Sequence, residues 1–229
     1  EMTSSLVGSE MCIRDRTEGV ELLVGQIDMN ATNGLRDYVM LLLLYTTGVR
    51  VSELINIKVK DISLTEPYTI RIHGKGNKGR YVPLMKTAVP HIQKYISCMK
   101  YDTEARFEEY LFKSHMNSQF TRQGVNYVLK KYGMKARQKE PTLIPDDLTA
   151  HKMRHTAAME LITSGVDLMY IRDLLGHSSV MTTEIYARTD AKLKRKAIEA
   201  ASKEILPKEE AKWESDTNLK EWLKSFNKR

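Results

Sequence analysis

The sequence has little of what stabilises small secreted proteins or crosses membranes. It contains only two cysteines, Cys12 and Cys98, too few for a disulfide framework, so we expect a reducing compartment. Its longest apolar or aromatic run, residues 38–45, is far shorter than the ~20 residues that a membrane-spanning helix needs. Twelve glycines and six prolines in 229 residues exclude collagen-like and proline-rich disordered chains. The remaining composition, 41% hydrophobic and 28% charged, is typical of a globular protein.

Acidic residues are outnumbered by basic ones. The sequence has 36 Lys and Arg against 29 Asp and Glu, which gives a net charge of +7. A basic chain of this size favours a polyanionic partner such as nucleic acid or an anionic membrane surface. A basic protein whose lysines are simply solvated fits the charge equally well, so the charge alone does not assign a function.

Hydrophobic periodicity predicts a mostly helical α+β protein with a small three-stranded antiparallel sheet. Strands are expected over residues 57–62 and 68–73, where apolar and polar residues alternate, and over 80–84. The glycine-rich loop 74–79 joins the last two as a hairpin. Helices are expected over residues 34–45, 51–55, 87–99, 121–132, 149–164, 167–175 and 180–188, followed by a charged helical tail.

Two segments in the first half carry groups that suit phosphate chemistry. Arg50 follows a buried helix and a glycine break, so its planar guanidinium can face a cleft, and Glu53 lies close enough to hold it. Residues 74–80 form a basic, glycine-rich finger, which is not a Walker loop because Gly-x-x-x-x-Gly-Lys-Ser/Thr is absent. Each feature also has an ordinary interpretation, as a capping arginine and as a soluble turn.

A third segment places His151 and Arg154 three residues apart, so that they share a helix face and can converge on one ligand. His155 lies four residues after His151, a spacing that also suits a metal site. The zincin pattern needs a glutamate directly after the first histidine, and Lys152 stands there instead. We therefore discount a metal site.

A fourth segment ends a predicted helix with a Gly-His turn at His177 and has a tyrosine, Tyr186, nine residues later. Taken alone, Tyr186 is best explained as a half-buried core tyrosine, because the chain has 11 tyrosines. The order of all four segments carries more information than any one of them.

Taken together, the segments resemble the tyrosine recombinase (phage integrase) family over about residues 28–200. The matching motifs are Thr-Gly-x-Arg-x-Ser-Glu-Leu, His-x-x-Arg-His-Thr, Leu-Gly-His and a tyrosine at the expected offset. The near relatives look like integrases of mobile elements and Xer-like recombinases that resolve chromosome dimers. The resemblance implies a site-specific DNA recombinase that needs neither metal nor cofactor. It implies a catalytic set of Arg50, Lys75, His151, Arg154, His177 and Tyr186.

The resemblance also assigns roles within this set. Tyr186 attacks the scissile phosphate and forms a 3′-phosphotyrosyl link, which frees a 5′-hydroxyl. Lys75 protonates the departing 5′-oxygen with assistance from His151, and Lys78 is a rival in the same turn. The other three members hold the non-bridging phosphate oxygens. Because the set contains only cationic, imidazole and phenol side chains, it argues against a two-metal nuclease.

We expect the chain to have three parts. We expect residues 1–27 to be a non-native or disordered segment, because the first sixteen show no clear period. Residues 28–189 form the expected catalytic domain. Residues 190–229 form a helical tail, either exchanged between protomers or packed on its own core. Since the family usually has an N-terminal DNA-binding domain that we expect this chain to lack, its DNA binding should be weaker and less selective.

The implied partners are double-stranded DNA and further copies of the chain in a tetrameric synapse, with no membrane involved. The expected location is the cytoplasm, at the nucleoid. Two alternatives stay open: a catalytically weak DNA-binding module of the same fold, and strand passage of the type IB topoisomerase kind.

Overall fold

Seven α-helices and three short strands make up the part of the chain that the computed structural model describes, namely residues 13, 16–74, 79–101 and 103–176. The helices are α1 (Arg16–Val24), α2 (Gly34–Thr47), α3 (Val51–Leu54), α4 (Val89–Cys98), α5 (Arg122–Lys139), α6 (Ala150–Thr163) and α7 (Leu168–Leu175). The strands are β1 (Ile62–Ser63), β2 (Thr69–His73) and β3 (Gly79–Pro83), and two 3-10 helices span Val59–Asp61 and Glu104–Arg106.

Helix α2 is the centre of the hydrophobic core, as its apolar density predicts. Val39, Met40, Leu41, Leu43 and Leu44 are fully buried. Each such side chain contributes roughly 1.5–3 kcal/mol on burial. The helix packs against α4 and α6 and ends where the sequence predicts, at a glycine in the left-handed conformation.

The sheet is three-stranded and antiparallel in the order β1-β2-β3, which confirms the predicted fold class. Ile70 lies opposite Val82, and Ile72 lies opposite Arg80. The isoleucines face the core, whereas Arg71 between them is exposed. The alternation of apolar and polar residues in β2 therefore matches one buried and one exposed face of the sheet, as expected. The residues joining β2 to β3, 75–78, lie outside the described part of the chain.

The strand predicted at 57–62 is wrong for most of its length. Its centre is the 3-10 turn Val59–Asp61, because the Asp61 carboxylate accepts the amide of Lys58 at 2.9 Å and favours a turn. Val59 and Lys60 donate instead to carbonyls of Glu109 and Phe107. The alternation of apolar residues therefore reflects a buried turn, and only residues 62–63 join the sheet.

The expectation that residues 1–27 are non-native or disordered is wrong for residues 16–27. Helix α1 buries Val20 and Leu23 in the common core. Ile27, three residues beyond the end of the helix, and Ile13 are buried as well. Residues 1–12 and 14–15 lie outside the described residues.

The helices that follow the sheet agree with the sequence apart from their ends. The hydroxyl of Thr121 accepts the amide of Gly124 at 3.0 Å, and Thr149 caps α6 in the same way. Helix α5 continues seven residues past its predicted end at residue 132, to Lys139. Predicted helix 180–188 and tail 190–229 lie outside the described residues. Within the described residues, no helix combines the length and apolar character that a bilayer span requires.

Gly48 should be hard to replace because it meets two constraints at once. Its φ is +59°, and an added Cβ would stand 2.5 Å from Cδ2 of Leu175. We expect Gly48→Ala to lower the free energy of unfolding by about 2–4 kcal/mol, part from the left-handed backbone and part from overpacking. Urea denaturation followed by circular dichroism measures the change.

The matched control is Gly165→Ala. Gly165 also has a positive φ, +79°, but nothing lies within 4 Å of an added Cβ. It should therefore lose only the backbone contribution, about 1–2 kcal/mol. An equal loss of unfolding free energy in the two variants would mean that Leu175 moves aside freely. It would also mean that the end of α2 is not closely packed against α7.

Candidate active site

Arg50 is held at the junction of α2 and α3 by a buried glutamate. Its backbone amide donates to Oε2 of Glu53 at 2.9 Å, and its Nη1 donates to Oε1 at 3.1 Å. Its Nη2 donates to the carbonyl of Gly176 at 3.0 Å. The Arg50 side chain remains 44% exposed. The predicted pairing with Glu53 is confirmed, and it leaves the guanidinium at the surface with a fixed orientation.

Arg154 approaches the same place from α6. The residue is buried, and its Nη1 donates to the carbonyl of Gly48 at 2.6 Å. Its Nη2 donates to the carbonyl of Leu175 at 2.8 Å. Because Leu175 and Gly176 are adjacent, Arg50 and Arg154 contact successive carbonyls at the end of α7.

A third arginine, Arg80, joins this cluster although the sequence assigned it to the basic finger. Its Nε donates to the carbonyl of Leu174 at 2.9 Å. Its Nη1 and Nη2 donate to the two carboxylate oxygens of Glu53 at 3.0 and 2.9 Å. Residues 174–176 thus each accept a hydrogen bond from a different arginine, and we call Arg50, Glu53, Arg80 and Arg154 with these carbonyls the arginine cluster.

Glu53 is the one acidic side chain in the arginine cluster. Burial alone would raise the pKa of Glu53, but the Arg80 hydrogen bonds, the Arg50 backbone amide and both guanidinium charges outweigh it and lower the pKa below its ordinary value. The carboxylate therefore stays ionised at neutral pH. A buried charge with two cationic partners and a backbone donor is fully compensated, which keeps the geometry rigid.

His151 lies at the start of α6, one turn before Arg154, and its side chain is exposed. The i, i+3 spacing puts the two residues next to each other along the helix, as predicted. His155, four residues on, is half-buried. Among residues 13, 16–74, 79–101 and 103–176, no group of three or more His, Cys, Asp and Glu side chains is arranged to hold a metal ion.

The other three residues of the predicted set, Lys75, His177 and Tyr186, lie outside the described residues, as does Lys78. What the structure describes is where their segments begin. Lys75 directly follows Gly74 after β2, and His177 directly follows Gly176, which ends α7 in the left-handed conformation. Their positions in the site, and the roles of all six residues, stay predictions.

A basic surface on α5 was not singled out by the sequence analysis. The helix carries six Lys and Arg and no Asp or Glu in 18 residues. Lys131 and Lys135 lie over the ring of Tyr132, and Tyr127 on the same face is 69% exposed. The absence of acidic residues over five turns was the available signal. A surface that combines lysines with an exposed tyrosine ring suits a polyanion whose planar groups can stack on that ring.

Comparison with known proteins agrees with this arrangement. The model of the phage integrase family matches residues 16–192. Tyrosine recombinase XerD of Staphylococcus epidermidis is 36% identical over 170 residues, which cover 74% of this chain and 55% of XerD. Tyrosine recombinase XerA of Pyrococcus horikoshii is 35% identical over 173 residues, 76% of this chain and 57% of XerA. The chain thus spans little more than half the length of these relatives.

Among solved structures, the site-specific recombinase XerH, bound to palindromic difH substrate in a post-cleavage complex, has a TM-score of 0.67 and 26% identity. The match covers 82% of this chain and 51% of XerH. The mostly helical architecture with a small antiparallel sheet is therefore the tyrosine recombinase catalytic fold. With 177 of its 229 residues matched by the family model, the chain belongs to the phage integrase family.

Proposed function

We propose that the protein is a site-specific DNA recombinase that cuts and rejoins DNA through a 3′-phosphotyrosyl link on Tyr186. The observation that carries the proposal is the convergence of Arg50 and Arg154 on successive carbonyls immediately before His177. Guanidinium groups gathered in this way repel one another, and an anion between them offsets that repulsion. A phosphate diester, with two non-bridging oxygens, matches such a pair of planar donors.

The arginines supply what a phosphoryl transfer needs most. Attack on the phosphate places extra negative charge on the non-bridging oxygens, and one preorganised donor contributes about 3–4 kcal/mol toward stabilising it. Arg50 and Arg154 are held in place before any DNA binds, so that little reorganisation is needed. His177, next to Gly176, would provide a third donor in this proposal.

The attacking and leaving oxygens need proton transfer. A free tyrosine has a pKa of about 10, so ionising Tyr186 at neutral pH costs about 4 kcal/mol, which the cationic field of the arginine cluster would offset. The departing 5′-oxygen is a poor leaving group without a proton. Lys75 would donate that proton, with His151 assisting. Because the tyrosyl ester keeps the energy of the broken bond, rejoining would require no ATP.

The proposed partner is double-stranded DNA. The net charge of +7 and the basic α5 surface support a polyanionic partner. The family relationship with XerD and XerA, and the description of XerH on its difH substrate, support DNA in particular. Acting on DNA, the protein would work in the cytoplasm at the nucleoid.

We also propose that the active assembly is a tetramer on DNA. Exchange between two duplexes breaks two strands in each, and one tyrosine per subunit serves one strand, so four subunits are needed. The tail 190–229 would then contact a neighbouring subunit, with residues 16–189 forming the catalytic domain.

The proposed function is tested by trapping the covalent intermediate. A pool of duplexes with random sequence around a nick is incubated with the chain in EDTA, and protein-linked DNA is recovered under denaturing conditions. Because the short fragment beside the nick diffuses away, religation fails and the adduct accumulates. We expect DNA to be attached to the peptide that contains Tyr186, as identified by mass spectrometry.

Tyr186→Phe is the control, since it removes only the attacking oxygen. It should bind the pool as the parent does and form no adduct. DNA binding by the parent without any adduct would contradict the proposal and favour a non-catalytic binding module. Relaxation of supercoiled plasmid by single subunits would favour strand passage of the topoisomerase kind.

A further inference from the structure

The arginine cluster contains one more cation than the proposed phosphate ligands require. Glu53 is 6% exposed and lies between Arg50 on one side and Arg80 on the other. These three side chains sum to one positive charge. Without Arg80, the pair that remains would be neutral.

Glu53 has two opposite effects on the site: it fixes the position of Arg50, and it reduces the positive charge that Arg50 presents to a phosphate. The carboxylate fixes the junction by accepting both the amide and the Nη1 of Arg50. A carboxylate 3.1 Å from a guanidinium also offsets the positive charge that the guanidinium presents to any other anion. A phosphate bound to Arg50 would therefore meet a weakened field unless another cation compensates Glu53.

Arg80 is arranged for that compensation, because both of its terminal nitrogens face the two carboxylate oxygens of Glu53. All three of its side-chain nitrogens already donate to protein acceptors, two of them to both oxygens of Glu53. Its side chain is 16% exposed, against 44% for Arg50. The guanidinium also lies against Gly176, where an added Cβ would stand 2.8 Å from Nη1 of Arg80.

We propose that Arg80 is a positioning residue which neutralises Glu53, so that Glu53 orients Arg50 without cancelling the charge that Arg50 offers to the scissile phosphate. This assignment rests on the proposed function. Arg80 is the second residue of β3, so its contacts join the start of that strand to Glu53, which holds Arg50, and to the end of α7.

The charge relation predicts that the effect of Arg80 depends on Glu53. With saturating chain on a nicked duplex recovered from the adduct pool, Arg80→Met should slow single-turnover adduct formation about 30-fold. The dissociation constant for the same duplex should change less than about 3-fold, since Arg50 still contacts DNA in the ground state. In the Glu53→Gln background, where no carboxylate needs compensation, Arg80→Met should slow the reaction by less than about 3-fold.

Two further variants keep the test decisive. Arg80→Lys retains the charge and should react within about 5-fold of the parent. Arg106→Met, which removes one charge from an exposed side chain that donates to the carbonyl of Met99 and lies outside the arginine cluster, should react like the parent. If Arg80→Met alone is unfolded by thermal melting, the double variant, which leaves no unpaired Glu53 carboxylate, is compared with Glu53→Gln, and a slowing of more than about 3-fold would overturn the assignment.

Equal slowing by Arg80→Met in both backgrounds would overturn the assignment, because a residue that binds the phosphate itself acts independently of the charge at position 53. So would a rate for Arg80→Lys as low as that for Arg80→Met. A parent chain that forms no adduct overturns the proposed function and this assignment together. A reactive parent with unaffected variants overturns the assignment alone.

Discussion

Replacing Arg154 by lysine will slow formation of the covalent DNA adduct by about 10²–10³-fold, the effect of losing one preorganised donor at a developing oxyanion. The lysine keeps the charge but cannot contact the carbonyls of Gly48 and Leu175 at once while it faces a phosphate. Single-turnover kinetics on the nicked duplex measure the rate. Thermal melting measures stability, which should fall by a few kcal/mol because each buried carbonyl left without its donor costs about 1–3 kcal/mol.

The loss of rate must be separated from the loss of stability. A duplex with a methylphosphonate at the scissile position lacks the non-bridging charge, so it has less need of an arginine ligand. On that duplex the defect of Arg154→Lys should shrink at least about 10-fold, while the melting temperature of the variant stays the same. A defect of equal size on both duplexes would show that Arg154 supports the fold and does not bind the phosphate.

The elements that could be predicted from the sequence are those whose local signals agree with their tertiary surroundings. Helix α2 has apolar residues on nearly every side and a glycine at its end, and both features report burial directly. Strands β2 and β3 flank a glycine-rich stretch of sequence, and the alternation of Ile70, Arg71 and Ile72 matches a sheet with one buried face. In these segments the tertiary contacts favour the same secondary structure as the local sequence does.

The failures occur where a local pattern has two physical explanations. The alternation at 57–62 fits a strand, but Asp61 pairs with the backbone of Lys58 and with the ring of His73, which favours a turn. Helix α1 was missed because it directly follows a segment without any period. The helix is stabilised by tertiary packing, because Val20 and Leu23 are buried against the rest of the core.

Sequence motifs singled out Arg50 and Arg154, but they did not predict how these arginines are held. The pairing of Arg50 with Glu53 follows from a spacing of three residues. Arg50 contacts Gly176, which is 126 residues later in the sequence, and Arg80 contacts Leu174, which is 94 residues later. No local sequence pattern encodes contacts over such distances. Arg80 looked like part of a DNA-contacting finger, because pattern alone does not reveal which side of β3 it takes.

DNA binding by the chain will weaken steeply with salt, and the α5 surface will account for a measurable part of the slope. A protein that neutralises about 6–10 phosphates loses roughly 10³–10⁵-fold in affinity between about 50 and 200 mM salt. Lys131→Gln with Lys135→Gln removes two adjacent charges from a helix that has no acidic residue. Titrations by fluorescence anisotropy over a range of salt should give a slope reduced by about 0.9 for each phosphate that the variant no longer neutralises.

The control is Lys94→Gln with Lys100→Gln, which removes the same net charge from exposed positions at α4 and just beyond it. If α5 contacts the DNA backbone, only the α5 pair lowers the slope, because counterion release reflects direct binding to phosphates. If the two double variants behave alike, long-range attraction by the net charge of +7 explains binding, and α5 is not part of the interface. The two pairs can be compared without knowledge of the target sequence, since the phosphate backbone is the same on any duplex.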